Sequence, residues 1–247
     1  MTTAVLSALP EEQHGLREQL EDAKHVRHAG RDFHTGRWHG KPVVLALSRI
    51  GKVAAATTAT ALIERFGVER IVFTGVAGGL QRDVQVGDTV IATEFLQHDM
   101  DASPLFPQHE VPLYGRSRFA ADEELVGLLS IAAGAVSTGL FDASTRAHFK
   151  LEGMRIHKGL LVSGDRFVSA AQEAKTLQGN LPDALAVDME GAAVAQVCYD
   201  YTIPFAAVRN ISDRADDTAH VDFPAYLTQV AGKQARALIS ALLPLLD

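Results

Sequence analysis

Residues 42–79 read PVVLALSRIGKVAAATTATALIERFGVERIVFTGVAGG. Residues 42–48 are an apolar run typical of a buried strand, and residues 53–66 are rich in the small residues that allow a helix to pack closely. Residues 71–74 form a second short apolar strand, and a glycine-rich sequence follows it at residues 75–79. A strand, a helix and a strand in succession predict one unit of an α/β fold with a largely parallel sheet.

The same alternation continues on both sides of this stretch. Further strands are predicted at residues 3–8, 89–95, 156–162, 185–187 and 205–211. Helices are predicted at residues 170–178, 190–201 and 223–243, the last ended by Pro244, and a polar helix is predicted after Pro10. No linker or repeat interrupts the pattern. We therefore expect residues 1–247 to form a single domain, an α/β three-layer sandwich with a central mixed, largely parallel, twisted β-sheet flanked by helices.

The composition excludes several classes of protein. The 247 residues are 47% hydrophobic and 21% charged, as in a globular protein. The net charge is −7 and the basic residues are scattered, so we expect no nucleic-acid partner. The longest stretch without an ionisable side chain, residues 125–141, is shorter than the roughly 18 residues of a membrane span and contains glycine and serine. It predicts a buried helix and a turn, and no membrane association.

The N-terminus and the single cysteine point to the cytoplasm and to an inert thiol. Residues 3–9 form a short apolar run without a basic region before it, so we expect no signal peptide and a cytoplasmic protein. Cys198 is the only cysteine and lies at helical spacing with apolar residues, which predicts a buried thiol. Residues 98–101 (HDMD) could hold a metal only with further converging ligands, and the sequence offers none, so no metal is predicted.

Polar or glycine-rich residues follow four of the predicted strands, at residues 11–12, 75–79, 163–165 and 210–213. In an open α/β sheet, ligands bind at the carboxyl ends of the strands, so these residues are the candidates for a site. The glycine run has no side chains to block a ligand, although a tight turn explains it equally well.

Four carboxyl groups lie near these strand ends. Asp213 follows apolar residues, and burial would raise its pKa to that of a general acid, although a helix N-cap is an equal alternative. Glu12 offers a second carboxylate, unless it is an ordinary acidic residue of a first helical turn. Asp188 and Glu190 lie at a strand-to-helix junction, where one faces a ligand and the other caps the helix.

Six motifs, in this order and spacing, resemble those of one family along essentially the whole chain. They are ALPEE (8–12), IGKVAA (50–55), TGVAGG (74–79), VSGDRF (162–167), VDMEG (187–191) and RNISD (209–213). The family is that of the 5′-methylthioadenosine/S-adenosylhomocysteine nucleosidases, in the purine nucleoside phosphorylase superfamily. The resemblance implies an enzyme that hydrolyses the N-glycosidic bond between adenine and a 5′-thio-substituted ribose, without a metal or an organic cofactor.

The resemblance also assigns roles in the reaction to five residues. Asp213 matches the acid that protonates adenine N7, with Ser212 helping to hold it, and protonation makes adenine a neutral leaving group. Glu12 matches the base for the attacking water, and Arg209 orients this end of the site. Glu190 matches the acceptor for the ribose hydroxyl groups, where a carboxylate also suits an oxocarbenium-like transition state.

The remaining matches concern binding of the nucleoside. Met189 lies beneath the sugar, Phe167 stacks on the adenine and the Val168 backbone reads its edge. The ribose and water side is lined by Val76, Ala77 and Gly78. The 5′-thio substituent lies in an apolar tunnel of Leu9, Ile50 and Phe223. In the family a neighbouring subunit closes this tunnel with the segment matched by Ala102 and Leu105, which implies a homodimer.

The sequence departs from the family pattern at three places, of which the long segment concerns substrate range. Val76 stands where many members have serine, and Asp188 replaces a glutamate of the motif without affecting Glu190. The segment from Gly134 to Arg155 is longer than the usual helix-to-strand connection. Alternatives to the nucleosidase are a purine nucleoside phosphorylase, a relative acting on aminodeoxyfutalosine or deoxyadenosine, and a nucleoside-binding protein without activity.

Overall fold

The computed structural model describes residues 1–136, 138–215 and 219–247. Its strands are β1 (Thr3–Ser7), β2 (Glu21–His28), β3 (Arg31–Trp38), β4 (Lys41–Leu47), β5 (Arg70–Gly79), β6 (Thr89–Gln97), β7 (Arg118–Ala120), β8 (Ile156–Ser163), β9 (Ala184–Asp188) and β10 (Phe205–Asp213). Its α-helices are α1 (Lys52–Phe66), α2 (Glu123–Gly134), α3 (Ala143–Phe149), α4 (Ala171–Asn180), α5 (Gly191–Tyr201), α6 (Ala219–Tyr226) and α7 (Gly232–Leu242).

The described strands form one sheet of ten strands in the order β10-β6-β8-β9-β5-β1-β4-β3-β2, with β7 beside β6. Its pairings are five parallel and five antiparallel. Helices α1 and α5 pack together, as do α2 and α7, and the sheet lies between helices. The predicted mixed α/β architecture is confirmed. The antiparallel share exceeds the expectation, partly because the hairpin of β2 and β3 extends the edge beyond β4. That residues 1–247 form one domain stays a prediction.

The topology brings the carboxyl ends of four strands together. Strand β10 pairs with β5 as well as with β6, so β10, β6, β8, β9 and β5 form a closed circuit. Strands β5 and β9 are antiparallel and meet only through their last residues, Gly78 opposite Val187 and Gly79 opposite Ala186. Strand β10 reaches the same place, because Asp213 pairs with Gly78. The ends of β5, β8, β9 and β10 therefore converge, as the sequence predicted for β5, β8 and β10. The fourth predicted strand end, after β1, reaches β5 through Glu12, which accepts the Val76 N–H.

Glycines set the two ends of helix α1, and small residues allow it to pack closely. Gly51 precedes the helix with a φ of 94°, and Gly67 ends it in the left-handed region with a φ of 58°. Between them Ala55, Ala59 and Leu62 are buried, and α1 packs against α5. The predicted helix at residues 53–66 is confirmed.

The polar helix predicted after Pro10 is wrong. Residues 10–16 form turns, followed by a short 3-10 helix, Arg17–Gln19. Gly15 has a φ of 81°, which a right-handed helix cannot contain. The Glu12 side chain instead accepts the backbone N–H groups of Ala8 and Leu9. A carboxylate that sequence reasoning placed in a helical turn thus organises a loop.

Two other regions differ from the prediction. The predicted C-terminal helix is present, but it contains a π-helical segment, Leu227–Ala231, between α6 and α7, and Pro244 lies within a final 3-10 helix, Leu243–Leu245. Strands β2 and β3 were not predicted, because β2 is exposed along almost its whole length and has no apolar pattern. Helix α2 ends at Gly134, as expected for a buried helix and turn, and Ser137 lies outside the described residues.

Candidate active site

A cavity of about 510 Å³ opens at the convergent strand ends. All the residues predicted for the site line it except Arg209, Ala102 and Leu105. The members of this lining set are Leu9, Glu12, Ile50, Val76, Ala77, Gly78, Phe167, Val168, Met189, Glu190, Ser212, Asp213 and Phe223. Asp188, one of the four candidate carboxyl groups, also lines it, and the sequence missed three further lining residues, Ala8, Arg166 and Val187.

Glu12 lies in a cradle of three backbone N–H groups. Its Oε2 accepts the N–H of Ala8 at 2.7 Å and that of Leu9 at 2.9 Å, and its Oε1 accepts the N–H of Val76 at 2.9 Å. The residue is 2% exposed. Burial raises the pKa of Glu12, against the opposing effects of the Arg209 guanidinium and the three N–H groups. Glu12 is therefore a fixed carboxyl group with an increased affinity for a proton.

The glycine run gives Glu12 its space. A Cβ at Gly75 would lie 2.8 Å from Glu12 Oε1, so a side chain there would displace the carboxylate. The run belongs to β5 and is not the tight turn that the sequence left open. The Val76 N–H of this run donates to Glu12, and Val76, Ala77 and Gly78 also line the cavity.

Arg209 lies behind the cavity and is almost completely buried. Its Nε donates to Asp188 Oδ2 at 3.0 Å, its Nη2 lies 2.9 Å from the same oxygen, and its Nη1 donates to the Phe73 carbonyl at 3.0 Å. The guanidinium also lies over the Phe73 ring, 4.0 Å from its centroid. The buried ion pair between Arg209 and Asp188 thus fixes β10 to the end of β9.

Asp188 and Glu190 divide the two roles expected of them. Asp188 accepts the Ser163 hydroxyl at 2.5 Å and the N–H of Gly191, the first residue of α5. Glu190 points away from that helix, and its Oε1 accepts the N–H of Gly51 at 2.9 Å. Burial, and then repulsion from the Asp188 carboxylate, raise the pKa of Glu190 well above its ordinary value. Both residues line the cavity, but Asp188 caps α5, whereas Glu190 makes no capping contact with that helix.

A ring of polar contacts holds the start of α1, and with it Gly51. Asp165 accepts the Lys52 N–H at 2.8 Å. Asp99 accepts the Lys52 ammonium at 2.5 Å and the Asp165 N–H at 2.8 Å. Because Gly51 donates to Glu190, this Lys52–Asp99–Asp165 ring supports the carboxylate through the backbone.

Asp213 is the last residue of β10 and is 1% exposed. Its Oδ2 accepts the Ser212 hydroxyl at 2.8 Å and its Oδ1 accepts the Ala215 N–H at 2.8 Å. A Cβ at Gly78 would lie 3.0 Å from Asp213 Oδ1 and 2.9 Å from the Ala215 Cβ. Glycine at position 78 is thus required by the close approach of the carboxyl group. The raised pKa that the sequence suggests for Asp213 stays a prediction.

The opposite wall of the cavity is apolar. The rings of Phe167 and Phe223 meet edge to face, with centroids 5.4 Å apart and planes at 62°. Phe167 is 44% exposed and Ile50 is 53% exposed, so this wall borders the mouth. Leu9 completes it. The structure therefore brings together the three residues expected to line an apolar tunnel.

Ala102 and Leu105 lie outside the cavity of this chain. They belong to the turns that follow β6, and Leu105 is 84% exposed. Their predicted role concerns a neighbouring subunit and stays a prediction.

Three further observations concern the cysteine, a metal site and a membrane span. Cys198 is buried in α5, and burial raises the pKa of its thiol. Among the described residues, no group of three or more His, Cys, Asp or Glu side chains is arranged to hold a metal. In the same ranges, no helix combines the length and the apolar character needed to cross a membrane.

Comparisons with known proteins agree with this geometry. The model of the phosphorylase superfamily matches residues 2–244. The 5′-methylthioadenosine/S-adenosylhomocysteine nucleosidase of Bacillus subtilis is 37% identical over 232 residues, which are 94% of each chain. The Neisseria meningitidis nucleosidase of the same name, solved with methylthio-immucillin-A, is 35% identical, with a TM-score of 0.88 over 99% of both chains. A futalosine hydrolase of Helicobacter pylori is 32% identical, with a TM-score of 0.84 over 98% of this chain and 97% of its own. The chain therefore belongs to the 5′-methylthioadenosine/S-adenosylhomocysteine nucleosidase family of the phosphorylase superfamily.

Proposed function

We propose that this protein hydrolyses the N-glycosidic bond of 5′-methylthioadenosine and S-adenosylhomocysteine, releasing adenine and the thio-substituted ribose. One observation carries the proposal: the carboxyl groups of Glu12, Glu190 and Asp213, from three separate parts of the chain, line a single cavity with an apolar wall. N-glycosidic hydrolysis needs a proton for the leaving base, a base for water and negative charge near the sugar. Three carboxyl groups supply these requirements, and no metal or cofactor is needed.

Asp213 is the acid of this mechanism. Its protonated carboxyl group donates a proton to N7 of adenine as the bond between C1′ and N9 breaks, so that adenine leaves as a neutral molecule. The Ser212 hydroxyl and the Ala215 N–H each donate to one carboxyl oxygen of Asp213. These two bonds fix the carboxyl group and so the direction in which it donates its own proton. Positioning by two hydrogen bonds removes the rotational freedom that would otherwise oppose the transfer.

Glu12 is the base. Its carboxylate takes a proton from the water whose oxygen attacks C1′. The water oxygen becomes the hydroxyl on C1′ of the released ribose, and adenine carries the proton that Asp213 donated. The raised pKa of Glu12 makes it a stronger base than an exposed glutamate, and the three N–H groups hold it in one orientation. Arg209 does not contact the cavity and acts by orienting Asp188 and the end of β10.

Glu190 accepts the ribose hydroxyl groups, and Met189 lies beneath the sugar. Hydroxyl donors lower the pKa of a carboxyl group, so bound ribose favours the ionised form of Glu190. The ionised form then stabilises the positive charge that develops on the sugar ring. Phe167 stacks on adenine, with the Val168 backbone beside it.

The cradle of Glu12 argues against a phosphorylase. A phosphate would need the N–H groups of the glycine run and nearby cations, but the Val76 N–H already donates to Glu12. A buried carboxylate at this point would also repel a phosphate. Water, which is neutral and donates a proton, is the nucleophile that this arrangement suits.

The apolar wall favours a thio-substituted 5′ end. Leu9, Ile50 and Phe223 offer apolar surface and no charge to a 5′ group. The likeness to the futalosine hydrolase supports one second candidate, an adenine nucleoside such as aminodeoxyfutalosine. Adenine release should be measured side by side from the methylthio, homocysteinyl, aminodeoxyfutalosine and deoxyadenosine substrates. The rates show whether the thio-substituted nucleosides or the second candidate are the better substrates.

A homodimer in the cytoplasm is part of the same proposal. Ile50 at the cavity mouth and Leu105 in the turns after β6 are both largely exposed apolar side chains. Each would be covered if Ala102 and Leu105 of one subunit closed the tunnel of the other. Light scattering at several protein concentrations tests the dimer, and fractionation of source cells tests the location.

The experiment that tests the function is adenine release from 5′-methylthioadenosine in phosphate-free buffer, with and without added phosphate. We expect the same rate in both. No adenine at high enzyme concentration would overturn the proposal, and a strict requirement for phosphate would establish the phosphorylase.

A further inference from the structure

The long connection between α2 and β8 has a hydrophobic cluster of its own with the helix that carries Phe223. The connection contributes Phe141, Phe149 and Leu151, and the segment from α6 to α7 contributes Tyr226, Leu227, Val230 and Ala231. We call these seven residues the rear cluster. All of them are buried, and the cluster is separate from the main core of the sheet.

Tyr226 is the centre of the rear cluster. Its ring meets that of Phe149 edge to face, with centroids 5.3 Å apart and planes at 83°. Its hydroxyl donates to Gln234 Oε1 at 2.7 Å, and Gln234 Nε2 lies 3.5 Å from the sulfur of Met154. The connection therefore holds Tyr226 directly, through Phe149, and indirectly, through Met154.

The rear cluster also touches the cavity wall. Leu9, Val76 and Phe223 pack against it, and the same three residues line the cavity. A single layer of side chains thus separates the rear cluster from the 5′ side of the cavity. Phe223 precedes Tyr226 by three residues in α6, so the two side chains occupy neighbouring positions on one helix surface.

The connection is anchored to the sheet independently of α6. Leu151 packs on Gly87, where a Cβ would lie 2.6 Å from a Leu151 methyl group. The buried Asp88 carboxylate accepts the Arg155 N–H at 2.8 Å, and His157 Nε2 lies 2.9 Å from it. These contacts fix the connection at the start of β6, so it provides a firm support for α6.

We propose that residues 141–151 determine which 5′ substituents the cavity accepts, by fixing Phe223 through Phe149 and Tyr226. The inference rests on the proposed function, because it concerns the 5′ end of the same nucleoside. Phe149 is a positioning residue: it touches no part of the substrate and acts through Tyr226. The rear cluster sets the depth of the apolar wall, whereas the carboxyl groups on the strand ends are unaffected.

The test is the variant Phe149→Ala, assayed with 5′-methylthioadenosine and S-adenosylhomocysteine. Removal of the ring lets α6 and Phe223 move outward, so the small methylthio group loses contact. We expect KM for 5′-methylthioadenosine to rise about 10-fold, the lower end of the range for loss of a small apolar contact. KM for S-adenosylhomocysteine should rise less, because its longer substituent reaches the displaced wall. The kcat for both should stay within about twofold, because chemistry is separate from the wall.

A matched control separates positioning from general loss of stability. Phe33 is also fully buried and packs on another ring, that of Phe66 at 4.4 Å, but it lies in β3 and does not line the cavity. Phe33→Ala should lower the melting temperature without changing the KM ratio of the two substrates. Phe149→Leu, which refills most of the space, should restore the wild-type ratio.

The same ratio in Phe149→Ala and Phe33→Ala, both folded at the assay temperature, would overturn the inference. If Phe149→Ala does not fold, Leu151→Val tests the same support with a smaller change, and an unaltered ratio there has the same meaning. If the wild-type protein releases no adenine, the proposed function fails. Dissociation constants for the two nucleosides, measured by calorimetry, then still show whether the rear cluster sets the 5′ preference.

Discussion

The two walls of the cavity are built in opposite ways. On the carboxylate wall, formed by Glu12, Glu190 and Asp213, each side chain is held by hydrogen bonds from backbone N–H groups or a neighbouring hydroxyl. On the apolar wall, Phe167 and Phe223 are held by ring contacts and packing alone. Hydrogen bonds are directional and fix an orientation, whereas packing fixes only a volume. The carboxylate wall is therefore suited to proton transfer, and the apolar wall to selection of a substituent.

The largest effect is expected on the carboxylate wall, from Asp213→Asn. Asparagine keeps the size of the side chain but supplies no proton, so adenine must leave as an anion. We expect adenine release to fall about 10²- to 10⁴-fold, the contribution of one general acid, with the fold preserved by circular dichroism. Full activity of this variant would refute the role of Asp213.

Glu12→Gln is expected to come next. An amide has one acceptor oxygen, so glutamine cannot accept all three N–H groups of the cradle and cannot take a proton from water. Turnover should fall by about 10²-fold or more, while the substrate still binds. Calorimetry gives the substrate affinity, and the single-turnover rate gives the chemical step, so the two measurements separate an effect on binding from an effect on turnover. Loss of binding with a normal single-turnover rate would contradict the role of base.

In the wild-type protein, the ionisation of Glu12 should appear in the dependence of kcat/KM on pH. Glu12 must be ionised to accept a proton, and burial raises its pKa from 4.5. The acid limb of kcat/KM should therefore lie above the pH at which an ordinary glutamate ionises. Glu12→Gln should remove this limb from the residual activity.

A smaller change is expected in stability, from Glu190→Gln. The folded-state pKa of Glu190 lies above the unfolded-state value of 4.5, so its contribution to stability is present below that pH and is lost as pH rises. Glutamine does not ionise. We expect the melting temperature of the variant, relative to wild type, to increase from pH 5 to pH 8 by a few degrees, since ~1 kcal/mol corresponds to roughly 2–4 °C at this chain length. KM for the nucleoside should rise, because the ribose loses a charged acceptor. A constant difference in melting temperature would contradict the raised pKa.

The smallest effect is expected from Asp99→Asn, in the Lys52–Asp99–Asp165 ring. The variant weakens the support of Gly51 without touching the cavity, so KM should rise about 2- to 5-fold with kcat unchanged, as for a partly exposed ion pair. Asp32→Asn is the matched control, because Asp32 pairs with His25 on the exposed hairpin. Equal kinetics for the two variants would show that the ring does not support Glu190.

The candidate carboxyl groups could be located because each lies beside a strand with a clear apolar pattern, and their catalytic roles were implied by the resemblance to the family. Asp213 follows the buried residues of β10, and Glu190 follows those of β9, so their places depended on local periodicity alone. Glu12 shows the limit. Its residue type and its strand were foreseen, but the helix predicted around it was wrong, because the N–H groups it accepts include that of Val76, 64 residues away.

Two other features had no local signal. A cap for α5 was expected from one of Asp188 and Glu190, but the ion pair between Asp188 and Arg209 depends on the meeting of β9 and β10 in the closed circuit of strands. The departure of residues 134–155 from the family pattern was visible, but its contact with Tyr226 was not, because Phe149 and Tyr226 are distant in the chain.

The amino-acid sequence by itself determined the α/β class, the strand ends that carry the site and the residue types that do the chemistry, because these depend on periodicity and on the side chains themselves. Only the tertiary structure decided which groups hold each carboxyl group, which of Asp188 and Glu190 caps α5 and what lies behind the apolar wall. Those features depend on contacts between distant segments, and such contacts leave no regular pattern along the chain.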